Sequence, residues 1–489
     1  MNMNTTSHCS DPKGPAFSEI GIETILDTQP ISVRQMLIVA LCFAVAAFDG
    51  LDLAIVGFLA PAIRAEWHIQ PSDLALLFSG GLIGLAVGAF IAGPAADTLG
   101  RKTVLVAAVT LFGGMCVASA FARAFPELYM FRILTGIGLG AAAPNAITLT
   151  SEYCPARRRS FLVNAMFCGF TLGSAAGGTL VVPLIFPHGG WRGVFLFVGI
   201  LPLLLAPLLA TILPESLQYL LLRRAKPTSI ASILRNVFPK FDPAGQTIVA
   251  RRTIKKAATP VRLLFAGAFK AYTFLLWTTY FLNLYVVYLI SNWLPTVIAD
   301  RGMPLSTASM VVGAFQIGGT LGALTLGYFM DCREPEIVLT GAYLLGAIFI
   351  ALLGFIIASP IGLAISIFLA GACVSGSMTG VNALASGLYP TESRATGVSW
   401  CMGVGRFGAL AGSIAGAWLF SRWLNPQIAF VLTALLVLAT AAAIAILGRV
   451  RTATDPLRSR KSKLNTQEVQ DWVTQSANET YSKVRSNHQ

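Results

Sequence analysis

Twelve apolar stretches follow one another along this chain of 489 residues, and nothing else in it restricts the fold as strongly. They cover residues 35–61, 74–96, 102–122, 128–150, 161–186, 193–213, 271–298, 307–330, 337–357, 361–388, 395–420 and 427–448. Each is near the roughly 20 residues a helix needs to cross a bilayer. Only 12% of the residues are charged and 55% are hydrophobic, whereas a soluble domain carries about 25% charged residues. The internal Gly and Pro residues are compatible with this, since membrane helices tolerate both. The fold class expected is an all-α membrane protein of twelve transmembrane helices. Residues 1–33 are polar and contain acids, without the basic-then-apolar layout of a cleaved signal peptide.

The formal charge of +13 invites a nucleic-acid reading, but its placement argues against one. With both termini on one side, 28 of the 35 Lys and Arg residues fall on that side, five on the other and two, Arg132 and Arg406, within spans. Positive charge collects on cytoplasmic loops. Both termini are therefore expected in the cytoplasm, with the basic excess facing anionic lipid headgroups. The setting is the cell's inner membrane, and the lipid bilayer rather than nucleic acid is the partner.

The eight cysteines are scattered without a CxxC, and the four histidines fall in loops or tails. Neither a disulfide framework nor a metal site is expected. There is no GxxxxGK[ST] string for a fused ATPase and no Ser-His-Asp set. The chain reads as a non-enzyme without a cofactor, and it is expected to act as a monomer. Asn4 and Asn478 match the glycosylation pattern, but both sit in expected cytoplasmic tails. Val469, Trp472, Val473 and Ala477 have helical spacing, compatible with a short interfacial helix or with disorder.

The basic stretch 214–270 divides the spans six and six. The organisation expected is a tail (1–33), a six-helix bundle (34–213), a cytoplasmic linker (214–270), a second bundle (271–448) and a tail (449–489). The halves read as copies. Gly84, Gly88, Gly93 and Asp97 precede Gly318, Gly322, Gly327 and Asp331 by 234 residues, as Pro61 precedes Pro295. Gly136, Pro155, Arg159, Gly173 and Gly177 precede Gly371, Pro390, Arg394, Gly408 and Gly412 by 235. Duplicated, pseudo-symmetric six-helix halves mark a secondary transporter whose halves rock about a site near the midplane. Its glycines let helices approach closely.

Against this background, "AAFDGLDLAIVGF" (46–58) places Asp49 and Asp52 inside the first span. A carboxylate at mid-helix costs about 2.5–3.5 kcal/mol on an insertion scale. The duplication pairs Asp49 with Asn283 and Asp52 with Val286, so the acids belong to one half only. A need of the shared fold would appear in both halves. Residues three apart share a helix face, and two close carboxylates in a low dielectric resist double ionisation. They are read as a proton-coupling site, since intramembrane acids mark ion pathways by default; the competing reading is a structural salt bridge to Arg132 or Arg406. Arg406 lies too deep in its span to reach the interface and is the candidate for a substrate carboxylate, which a guanidinium grips with two parallel bonds. Arg132 is read either as an interfacial anchor, or as a group that attracts the anion or partners a span 1 aspartate. Trp277, Phe281, Tyr285, Tyr288 and Asn292 lie on one face of span 7, where rings stack on an aromatic substrate and Asn292 or Asn283 hydrogen-bonds it; packing against lipid is the alternative. "GPAADTLGRK" (93–102) supplies Asp97, Arg101 and Lys102 for ion pairs at an inner gate, with Glu152 and Arg394 at neighbouring span ends.

"GPAADTLGRK" resembles the loop 2–3 signature of the major facilitator superfamily. Its second-half copy, "GYFMDCREPE" (327–336), keeps Asp331 but lacks G-R-K. "FDGLDLAIVG", "RILTGIGLGAAAPNAITLTSEYCPARRRS", "GWRGVF", "LPES", "YPTESRATG" and "GRFGA" occur in the order seen in the aromatic acid:H⁺ symporter family, over essentially all twelve spans. The resemblance implies proton-coupled import of benzoate- or hydroxybenzoate-like carboxylates or related ring-cleavage acids by alternating access. It also implies that Asp49, Asp52, Asp97, Arg132, Glu152, Arg394 and Arg406 are functionally sensitive, with Glu392 beside Arg394 and Asp331 in the gate set. The alternatives are a carrier of a non-aromatic organic anion, an efflux antiporter, or a membrane sensor on the same fold. The last would need a folded cytoplasmic domain for which neither tail nor linker is long enough.

Overall fold

A computed structural model describes residues 18–223, 227–238, 246–249, 264–265, 269–356, 359–389, 394–422 and 425–454. Glu392, the centre of the linker and the tail from residue 455, with Val469, Trp472, Val473 and Ala477, lie outside the described residues. The chain is helical almost throughout. Helices α2 (Val33–Trp67), α3 (Pro71–Leu99), α4 (Arg101–Ala120) and α5 (Phe125–Tyr153) form the first four spans. They are followed by α6 (Arg159–Ala176), a π-helical turn (Gly177–Val181) and α7 (Val182–Ile212). In the second half come α10 (Phe269–Ala299), α11 (Leu305–Cys332), α12 (Pro335–Ile356), α13 (Pro360–Ala370), a second π turn (Gly371–Ser375), α14 (Gly376–Leu388), α15 (Arg394–Arg422) and α16 (Pro426–Thr454).

Among the described residues, ten helical segments are long and apolar enough to cross a membrane. One of them, Phe161–Ile212, is 52 residues long and holds two of the expected spans. At "PHGGW" the backbone leaves the helical conformation at Gly190 (φ 58°, ψ −162°), so two helices meet there, one for each expected span. A side chain is strained at that φ, and glycine is not. The 29 residues of α15, with Arg406 near the middle, are also long enough to span, though less apolar.

Two departures from the expectation lie outside the spans. The tail contributes a strand, β1 (Ser18–Gly21), and a short helix, α1 (Ile22–Thr28). Strand β1 pairs in parallel with β2 (Gln246–Val249) in the linker, which also carries α8 (Leu217–Leu222) and α9 (Pro227–Val237).

The duplicated glycines make duplicated contacts. A Cβ on Gly84 or Gly88 of α3 would lie 2.1 Å from the carbonyl oxygens of Ile133 and Ile137. One on Gly318 or Gly322 of α11 would lie 2.0 and 2.2 Å from those of Phe368 and Ala372. Gly173 meets the carbonyl of Ala47 as Gly408 meets that of Phe281. In every case the glycine and its partner are displaced by 234 and 235 residues, in one order or the other. Backbones this close exclude any side chain, so one duplicated sequence pattern produces one duplicated helix packing.

By contact density the chain forms two compact units. The first comprises residues 1–52, 83–173 and 192–255, and the second 53–82, 174–191 and 256–489. Within the second, the end of α2 is tied to the end of α10 by Arg64 and Asp300 at 3.0 Å, and Gln316 Nε2 donates to Ser174 Oγ at 2.7 Å.

Candidate functional site

The strongest electrostatic feature of the first unit is a sealed ion pair. Arg132 of α5 donates from Nη1 to Asp52 Oδ1 at 2.9 Å and from Nη2 to Asp52 Oδ2 at 2.6 Å. Both side chains are 1% exposed. The aspartate and the arginine are 80 residues apart in the chain. Beside the pair, Gly84 and Gly88 on α3 and Gly140 on α5 bring those two helices into backbone contact. Phe195 of α7 covers the guanidinium, its ring centroid 5.8 Å from Cζ. Cys116 of α4, a neighbour of the pair, donates to the carbonyl of Phe195 at 3.4 Å. Arg132 Nε is buried as well and has no acceptor among the described residues, leaving one donor unspent.

This geometry removes the interfacial-anchor reading of Arg132, because the side chain is enclosed rather than extended to a headgroup layer. A parallel, two-bond carboxylate–guanidinium pair is among the strongest polar contacts available. Buried, it still repays its desolvation only when both partners stay charged and matched. Such a pair holds firmly in one protonation state and loosens when the carboxylate takes a proton.

Asp49 is one turn from Asp52 on α2 and is 7% exposed. The nearby Gly50 lies against α6, where a Cβ would be 1.9 Å from the Phe170 carbonyl oxygen. In the second unit, Arg406 is exposed. It makes no hydrogen bond or ion pair with a described residue. It shares a face of α15 with Ser413, seven residues on. Ser413 accepts from Asn292 Nδ2 at 2.9 Å, and its carbonyl accepts from Trp293 Nε1 at 2.8 Å. Asn283 is otherwise engaged: its amide nitrogen donates to Tyr343 Oη and to the Val374 carbonyl, both at 2.9 Å. The aromatic face of α10 runs along α15. Trp277 stacks on Trp400 with centroids 5.8 Å apart, and Phe281 and Tyr285 present their backbones to Gly408 and Gly412. Tyr288 is half-buried on the same helix.

A second polar cluster joins the ends of α4 and α5. Arg101 forms an ion pair with Glu152, which also accepts from Ser216 Oγ at 2.5 Å. Glu215 accepts from the backbone N–H of Lys102 at 3.0 Å, placing a carboxylate at the N-terminus of α4, where it satisfies an orphan donor. Tyr153 Oη donates to the Glu215 carbonyl at 2.6 Å, and Gln35 Nε2 to the Tyr153 carbonyl at 2.6 Å. Gly100, at φ 95°, turns the chain between α3 and α4 directly beneath Glu215. Asp97 is exposed nearby, and its carbonyl accepts from Arg223. Asp331 is exposed at the equivalent end of α11, while Arg394 begins α15 and its side chain is outside the described residues. Sequence reasoning overlooked Glu215 and Ser216 as site residues although they stand in the "LPES" motif. It also overlooked the pairing of Glu336 with Arg451 at 2.6 Å, which ties α12 to α16.

Comparison with known proteins identifies the family. A sequence profile described as Major Facilitator Superfamily matches residues 42–296 and again 276–488. A gallate transporter of Pseudomonas putida is 44% identical over 444 residues, which cover 91% of this chain and 98% of the relative. A 4-hydroxybenzoate transporter of Pseudomonas aeruginosa is 42% identical, covering 90% and 97%. Among solved structures, the inward-open xylose transporter of Escherichia coli superposes with a TM-score of 0.66 at 17% identity, over 83% of this chain and 95% of that one.

Proposed function

Because the chain belongs to the Major Facilitator Superfamily and is a multi-pass transporter rather than an enzyme, we propose that it imports an aromatic carboxylate, of the benzoate or hydroxybenzoate kind, together with protons. The observation that carries the substrate class is the similarity, at above 40% identity over some nine tenths of the chain, to transporters of gallate and of 4-hydroxybenzoate. In this reading the termini and the linker are cytoplasmic and the membrane is the inner one. The transport machinery is the two bundles 34–213 and 271–448, working as a monomer.

The coupling follows from the pair. With Asp52 ionised, Arg132 is fully committed and the helices α2 and α5 are tied at mid-membrane. A proton delivered by way of Asp49 neutralises Asp52, weakens both bonds and frees a guanidinium that then attracts the incoming anion. Arg406, exposed and uncommitted, takes the carboxylate with two parallel bonds, and Asn292 and Tyr288 line the same half. The loaded protein changes state because ligand and proton together bind one conformation better than the other. At the inner end, the Arg101–Glu152 ion pair holds in one state and parts in the other, and Asp97, Asp331, Glu392 and Arg394 are assigned to the same gate. One proton per monoanion is electroneutral; a second would add about 2.3 kcal/mol per 100 mV.

The test is uptake of labelled 4-hydroxybenzoate into proteoliposomes. An inward proton gradient should drive accumulation, and a protonophore should abolish it. Accumulation that ignores the protonophore would reject proton coupling, and absence of uptake for benzoate, 4-hydroxybenzoate and gallate alike would reject the substrate class.

A further inference from the structure

Arg132 is not the only arginine whose buried Nε has no acceptor among the described residues. Twenty residues further along α5, about 30 Å away by helix rise, a cavity of about 170 Å³ opens beside Glu152. Arg101 and Arg159 line it, with Leu26 of the tail helix α1 and Leu217 and Gln218 of α8. Glu152 is spent on Arg101 and Ser216. Arg159 Nε is buried and has no acceptor among the described residues. The Arg159 side chain as a whole is half-buried, but an N–H cut off from water without a partner is expensive, and an anion in the cavity would relieve it. Two of the walls are apolar, since Leu26 and Leu217 are 3% and 2% exposed. The cavity is smaller than the roughly 300–1,000 Å³ of pockets for drug-sized ligands. It therefore suits a small anion with an apolar body no larger than a single ring.

We propose that this pocket is a second binding site for the transported aromatic carboxylate, on the side where it is released, and that its occupation slows further uptake. The identity of the anion rests on the import reading above; the pocket itself does not. The carboxylate accepts from Arg159 and competes with Glu152 for Arg101, while the ring lies between Leu26 and Leu217. Product accumulating inside then perturbs the ion pair that joins α4 to α5, and fastens the tail over it.

The experiment uses the purified full-length protein, Arg159→Gln, and Leu26→Trp, which fills the cavity from a tail helix outside the spans. Equilibrium dialysis with labelled 4-hydroxybenzoate should find two equivalents bound to the wild type and one to each variant. Initial uptake into empty proteoliposomes should stay within about twofold of wild type for both variants. Preloading the vesicles with unlabelled benzoate should slow the wild type several-fold more than either variant. One equivalent in all three proteins, or equal slowing by preload, overturns the second site and leaves the import reading intact. Inorganic phosphate displacing the second equivalent as readily as benzoate does overturns the assignment to an aromatic carboxylate. No binding to any of the three would remove the substrate reading, and this inference with it.

Discussion

If Asp52 and Arg132 form one unit, their substitutions must be strongly non-additive. Each side chain is 1% exposed, and the two bonds measure 2.9 and 2.6 Å. Removing one partner of a buried pair costs about 3–5 kcal/mol, because the other charge is left uncompensated. Asp52→Asn keeps one acceptor for the guanidinium, so its cost belongs near the lower bound, about 3 kcal/mol. Arg132→Gln leaves a buried carboxylate without its cation but with an amide donor, giving a similar figure. Independent effects would sum to about 6 kcal/mol in the double variant. A real pair predicts that the double variant, with no buried charge left, loses about 3 kcal/mol or less, a coupling of about 3 kcal/mol, or more than a hundredfold in the unfolding constant. Denaturant titration in detergent micelles, followed by tryptophan fluorescence on all four proteins, measures this directly. Proton-driven uptake should be lost in all three variants, including the stable double one. Coupling below about 0.5 kcal/mol would refute the pairing in the resting protein.

Further outcomes follow from other contacts. Asp49→Asn should insert and fold like the wild type but lose proton-driven accumulation, read by uptake with and without a protonophore. Gly173→Leu and its counterpart Gly408→Leu should both cost several kcal/mol in the same titration, since a Cβ at these sites would lie 1.8 and 2.1 Å from the carbonyl oxygens of Ala47 and Phe281. Glu215→Ala removes the acceptor for Lys102 N–H and should cost about 1–2 kcal/mol. Arg64→Gln, whose partner Asp300 is 60% exposed, should change stability by less than about 1 kcal/mol, with the effect fading at high salt.

The contrast between these residues explains what was readable in advance. Membrane spans are legible because lipid demands long apolar runs, and the helices follow the predicted stretches closely, from α2 at Val33–Trp67 to α16 at Pro426–Thr454. The duplication was legible for a related reason: a glycine at a backbone contact has no substitute, so the pairs Gly84/Gly318 and Gly173/Gly408 survive in register with their partners. The break between 161–186 and 193–213 was legible from the His, Gly and Gly of "PHGGW", and it is a short kink at Gly190 between two helices.

The charged residues divide along the same line. Two acids in span 1 and two arginines in distant spans permit four pairings, and sequence cannot choose among them because the choice depends on which helices adjoin. The fold selects Asp52 with Arg132 and leaves Arg406 without a partner among the described residues. Lipid makes the problem sharp, since an isolated charge there is costly and a short list of partners exists. At the helix ends the constraint relaxes. Glu215, Ser216 and Glu336 stand in stretches where water is an adequate partner for a carboxylate or a hydroxyl, so nothing in their spacing announces that Lys102, Glu152 and Arg451 complete them. A charge inside the bilayer thus identifies itself by its cost, whereas a charge at the bilayer's edge becomes visible only through the geometry of its neighbours.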